Sequence, residues 1–77
     1  MILNSFLFGR VAVDLVHTAH GSGGTRQVEL IPMEDLSTPC GTIYFPAGKR
    51  VFFETVDIRD DQIIPLSGGR IRAVADW

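Results

Sequence analysis

Between residues 11 and 19 the odd positions are Val11, Val13, Leu15, His17 and Ala19, while Arg10, Asp14, Thr18 and His20 fall on the other side with Ala12 and Val16. A period of two places one set of side chains on each face of an extended chain, the signature of a half-buried strand. A second alternating run over 26–32 sets Val28 and Leu30 against Gln27 and Glu29. The two runs are separated by a glycine-rich stretch, Gly21-Ser22-Gly23-Gly24, and are predicted to pair as a hairpin with a loop longer than the tight two-residue turn. Across that hairpin Arg10 and Arg26 are expected to be neighbours, and His17 to be partly buried.

Residues 42–45 and 50–58 are rich in β-branched and aromatic side chains and are joined by Pro46-Ala47-Gly48-Lys49, which reads as a second hairpin. Both faces of Val51-Phe52-Phe53 are apolar, so this is the expected central strand. Residues 62–66 form a short run whose Pro65 marks it as an edge. Residues 70–77 alternate again, with Ile71, Ala73, Ala75 and Trp77 on one face, and read as a closing strand. Only residues 32–38 have helical character, because Glu34 and Asp35 follow a proline as in a first helical turn.

Turn signals every eight to twelve residues are the spacing of an all-β or β-rich α+β domain. The expectation is a small antiparallel barrel or sandwich of five to six strands, with at most one short helical turn near 32–38. With 77 residues there is material for one domain, 1–77, and no second.

Composition narrows the function classes. Hydrophobic residues are 45% of the chain and charged residues 21%, which suits a folded core and not a disordered tail. A net charge of -2 lacks the basic footprint of a general nucleic-acid binder. The single cysteine, Cys40, excludes an internal disulfide and points to a reducing, cytoplasmic setting. The apolar start, from Met1 to Phe8, has no cationic residue before it and is cut short at Gly9-Arg10. It therefore suits core or interface better than a leader, and it is far short of a membrane span.

Catalytic and cofactor patterns fail on inspection. His17 and His20 have an H-x-x-H spacing, but on a strand they point to opposite sides, so no metal site is expected. Cys40 is expected to be an inert, half-buried thiol. Gly48-Lys49 is followed by Arg50 instead of Ser or Thr, and Gly21-Ser22-Gly23 meets Arg26 where a dinucleotide fingerprint needs glycine. Ser22 and Ser67 form no nucleophile elbow. No enzyme, cofactor or metal is expected.

Charge and aromatic residues offer two candidate faces. Glu54, Asp57, Asp60 and Asp61 place four carboxylates within eight residues, beside Phe52 and Phe53. Clustered acids would attract a basic partner while an aromatic supplies the desolvated anchor. The alternative face is Arg70 and Arg72, two apart on a strand and suited to an anionic ligand. Arginine outnumbers lysine six to one, and its planar fork is favoured in interfaces.

The leading reading is a non-enzymatic protein-binding module. It would act as an accessory regulator, or as an inhibitor of the kind carried by phages and mobile elements, docked on a larger and basic nucleic-acid-handling protein. The alternatives are a small barrel binding RNA or single-stranded DNA, with Tyr44, Phe45 and Phe52 as stacking platforms, and a subunit of a homo-oligomeric or phage assembly. The greasy first eight residues favour a homodimer, and no membrane contact is expected.

Overall fold

Alternation curls the chain so that Leu3, Val11, Val13, Val28, Leu30, Val51, Phe53 and Ile63 all face one interior, each almost fully removed from solvent. The structure, a computed structural model, describes residues 1–74. Its strands are β1 (Ile2–Ser5), β2 (Gly9–His20), β3 (Arg26–Pro32), β4 (Leu36–Ser37), β5 (Tyr44–Phe45), β6 (Val51–Arg59), β7 (Gln62–Pro65) and β8 (Ile71–Ala73). Strands β1, β2, β3, β6 and β7 are neighbours in that order, and β7 returns to β1 to close a five-stranded barrel.

Closure differs from the antiparallel expectation in one respect. Four successive pairings are antiparallel, but β1 and β7 run parallel, Ile2 opposite Gln62 and Leu3 opposite Ile63. Each connection reverses the chain, so the first and fifth strands of an up-and-down series must run the same way. An odd number of strands makes the barrel mixed.

The 11–19 and 26–32 runs do pair as the expected hairpin, with a 3-10 turn over Ser22–Gly24 in its loop. Its alternation is interrupted by a bulge between Leu15 and His17, which leaves Leu15 and Val16 on the surface. A bulge inserts one residue and turns the strand. His17 is consequently exposed and not partly buried. Arg10 and Arg26 are not neighbours, because Arg10 faces Asn4 on β1 while Arg26 faces His20.

The second expected hairpin does not form. β6 pairs with β3, and β5 pairs with β4, Leu36 opposite Phe45. The segment between β3 and β6 is a folded excursion held by its own polar groups. Asp35 accepts hydrogen bonds from the Ala47 amide (2.8 Å) and the Tyr44 hydroxyl (3.1 Å). The Thr38 hydroxyl accepts from the amides of Thr42 (3.0 Å) and Ile43 (3.2 Å). Asp35 thus serves the loop, and the helical turn expected at 32–38 is replaced by the short strand β4. Leu36 is fully buried, and Phe45 packs edge-on against Phe8, with ring centroids 6.2 Å apart.

β7 is not the edge that Pro65 suggested, since it lies between β1 and β6. Proline is tolerated at its last position because the amides alternate: Leu66 N bonds Thr55 O at 3.0 Å, so the nitrogen of residue 65 points away from β6, past the end of the β1 pairing at Ile63. The expected closing strand is instead an added one. Among the described residues β8 pairs with β6 alone, Phe53 opposite Ile71 and Val51 opposite Ala73, while β1 closes the barrel. Residues 75–77, with Trp77 among them, lie outside the described residues.

β6 is central as expected, and it changes neighbours along its length. Its first half pairs with β8 and its second half with β7, from Val56 onward. The change falls at Thr55, whose φ of 69° is a left-handed conformation that a β-branched residue adopts only at a cost. Asp60 and Asp61 also have positive φ, 48° and 62°, the pair of left-handed residues that a tight two-residue hairpin requires. Asp61 O there accepts the Ile2 amide at 2.9 Å, fixing the acidic turn at the end of the barrel where β1 begins.

Candidate functional site

A notch opens in the barrel wall beyond the end of β7, where the chain leaves β6 after Leu66 and β8 takes its place beside β6. Thr55 is the pivot. The connection between β7 and β8 passes so close to it that a side chain at Gly69 would begin 3.1 Å from Thr55 Cβ. The result is a groove of about 390 Å³ under the β1–β2 turn, lined among others by Phe6, Phe8, Glu54, Leu66, Arg70 and Ile71. Phe6 stands wholly in solvent at 103% exposure, and Leu7 and Leu66 are also exposed.

Because β1 and β7 are parallel, their C-terminal ends share one end of the barrel, and Phe6 and Leu66 follow those ends. The Asp60-Asp61 turn precedes β7 and lies at the opposite end. The carboxylates grouped in sequence are therefore separated in space. Glu54 lines the groove, Asp60 and Asp61 sit at the far end, and Asp57 is held 2.6 Å from Arg59 in an exposed pair of small energetic value.

The proposed aromatic anchors separate as well. Phe53 is 1% exposed and belongs to the core, so it is corrected from partner contact to barrel filling. A strand alternates, and one of two adjacent phenylalanines must face inward. Phe52 faces outward, with the Arg72 guanidinium 4.8 Å from its ring centroid. Arg72 is thus engaged by an aromatic ring, while Arg70 lines the groove. Just before β6, Arg50 donates a 2.6 Å ion-paired hydrogen bond to Glu29 on β3.

Cys40 is exposed and not half-buried. Its Sγ is hydrogen-bonded to Thr42 Oγ1 at 2.8 Å and donates a longer contact to Thr38 Oγ1 at 3.8 Å. Hydrogen bonding from Thr42, first through its hydroxyl and then its amide, with Thr38 adding to it, lowers the thiol pKa to about 7. Only the thiolate is nucleophilic, so alkylation by iodoacetamide is expected to rise with pH through a midpoint near 7. Thr42→Val should move that midpoint upward, and an unmoved midpoint would refute the hydroxyl's role. The same excursion raises the Tyr44 pKa, because the phenol proton is held by Asp35.

His17 and His20 stand opposite Glu29 and Arg26. Among the described residues no three His, Cys, Asp or Glu side chains are gathered as a metal site. No helix among them is long and apolar enough to cross a membrane.

The groove was missed in sequence because it is made by three segments that come together only on closure. Two signals did mark its parts. Phe6-Leu7-Phe8 breaks alternation, and Leu66-Ser67-Gly68-Gly69 interrupts what is otherwise one continuous run beside β6. Comparison of the chain with protein-family models, with curated proteins and with solved structures finds no match.

Proposed function

We propose that the protein is a small non-enzymatic protein-binding module that docks through the groove and the Phe6-Leu7 turn above it. The observation that carries this reading is Phe6, an aromatic side chain left fully in water beside an apolar groove. Tight turns are ordinarily polar, and a surface aromatic next to an apolar depression is the composition of an interface hot spot. The groove is walled by β6 together with the β1–β2 turn and the β7–β8 connection, so two of its sides are turns that can adjust to a partner. Regulation by docking in a reducing, cytoplasmic setting is part of the reading, supported by the single exposed thiol.

Binding of RNA or single-stranded DNA is the weaker reading, because the three rings that could serve as stacking platforms are each engaged within the chain: Phe52 has Arg72 over one face, Phe45 packs against Phe8, and the Tyr44 hydroxyl is held by Asp35. The discriminating experiment places a photoreactive phenylalanine analogue at position 6, or at Phe52, in cells producing the full chain. Crosslinks from position 6 to protein are expected. Crosslinks from position 52 to nucleic acid, with none from position 6, would overturn the proposal.

A further inference from the structure

We infer that the groove is filled by a second copy of the chain, the Phe6 ring of each copy seated in the groove of the other about a two-fold axis. This deepens the docking reading and rests on it, since it names the partner of the same groove.

Among the described residues Phe6 is both the most exposed large apolar side chain and part of the groove's own rim. A projection and a cavity far apart on a molecule join copies head to tail and leave open ends. Placed together on one patch, they satisfy each other reciprocally under a two-fold rotation, and the assembly closes at two. The groove, about 390 Å³, is large enough to receive an aromatic ring.

Charge on the patch has the same self-complementary form. Glu54 and Arg70 both line the groove, and neither takes part in a salt bridge among the described residues. They are held as neighbours by the Glu54 amide, which donates to Arg70 O at 2.9 Å. A two-fold axis through the groove sets Glu54 of each copy against Arg70 of the other, so the interface gains two opposite-charge contacts from one pair of residues. The acidic turn cannot serve in this way. Asp60 and Asp61 from two copies would meet as four like charges on a chain whose net charge is already -2.

The test is mass by light scattering and sedimentation across concentration on the full chain, with far-UV circular dichroism to confirm folding. The wild type is expected to reach twice its 8.5 kDa chain mass, and Phe6→Ser to remain at 8.5 kDa with an unchanged spectrum. Glu54→Arg and Arg70→Glu should each weaken self-association by at least about tenfold, since each places like charges across the axis. The double variant carrying both should recover to within about threefold of wild type, because opposite charges face again.

A wild type that stays at one chain mass at every concentration would overturn the inference, as would a double variant no stronger than either single one. The two readings fail separately. If the wild type is monomeric while the photoreactive position 6 still captures a different protein, self-occupancy is wrong and docking stands. If position 6 captures no protein at all, both are wrong.

Discussion

Phe53→Ala is expected to leave the protein unfolded in water. The ring is 1% exposed and lies among Leu30, Val56 and the other barrel-filling side chains, so its removal opens a cavity that the surrounding strands cannot close. Truncation of a buried phenylalanine costs about 3–5 kcal/mol. A chain of this size obtains roughly 3–5 kcal/mol from its whole core, so the loss equals the stability available. Phe52→Ala changes the adjacent residue in sequence and should behave differently. It removes an outward ring and its contact with Arg72, an interaction worth about 0.5–1 kcal/mol at an exposed site. Urea titration followed by circular dichroism should show a cooperative transition for the position 52 variant and none for the position 53 variant. Equal losses in the two would contradict the assignment of inside and outside along β6.

Removal of residues 1–8 is the second large effect, and it separates two roles within one apolar run. Leu3 is fully buried, and β1 supplies both the partner of β2 and the closing partner of β7. Without it the barrel loses a stave, Val11 and Ile63 are uncovered, and two strand edges are left without hydrogen-bond partners. Truncation of a buried leucine alone costs about 2–5 kcal/mol, so the shortened chain is expected to lose its β-sheet spectrum and aggregate. The double substitution of Phe6 and Leu7 by serine, at the exposed tip of the same run, should keep the spectrum and melt within a few degrees of wild type. A folded, soluble protein after the deletion would show that β1 is dispensable to closure.

The all-β class, the β2–β3 hairpin and the central place of β6 follow from alternation and turn residues, which act over a few positions. Alternation also carries the difference between Phe52 and Phe53, although both faces of that strand are apolar and composition alone leaves the inward one unnamed. What could not be read depends on pairings between distant segments. β7 looks like an edge because Pro65 is judged by residue type, whereas its place in the wall is decided by β1, far away in sequence. The 42–45 segment looks like a partner for β6, yet Asp35 and Thr38 tie it into its own loop and release β6 to β3. For the same reason the clustered acids suggested one site where the fold provides two ends. Their proximity in sequence runs along β6 and round its turn, and a strand of nine residues spans the height of the barrel.

Parallel closure also governs how the chain reaches and leaves its native state. Ile2 meets Gln62 and Leu3 meets Ile63 across sixty intervening steps of the chain, whereas β1–β2, β2–β3 and β6–β7 join segments close in sequence. Loop-closure entropy for a separation of that length is on the order of 3–4 kcal/mol, and no local contact offsets it in advance. Hairpins are therefore expected to form first and the β1–β7 seam last, with folding on the millisecond-to-second scale of non-local β topologies. With two residue pairs in register, the seam is also the expected place of first opening. Parted there, the barrel would become a curled sheet with β1 and β7 as bare edges, the form expected to join edge to edge into aggregates.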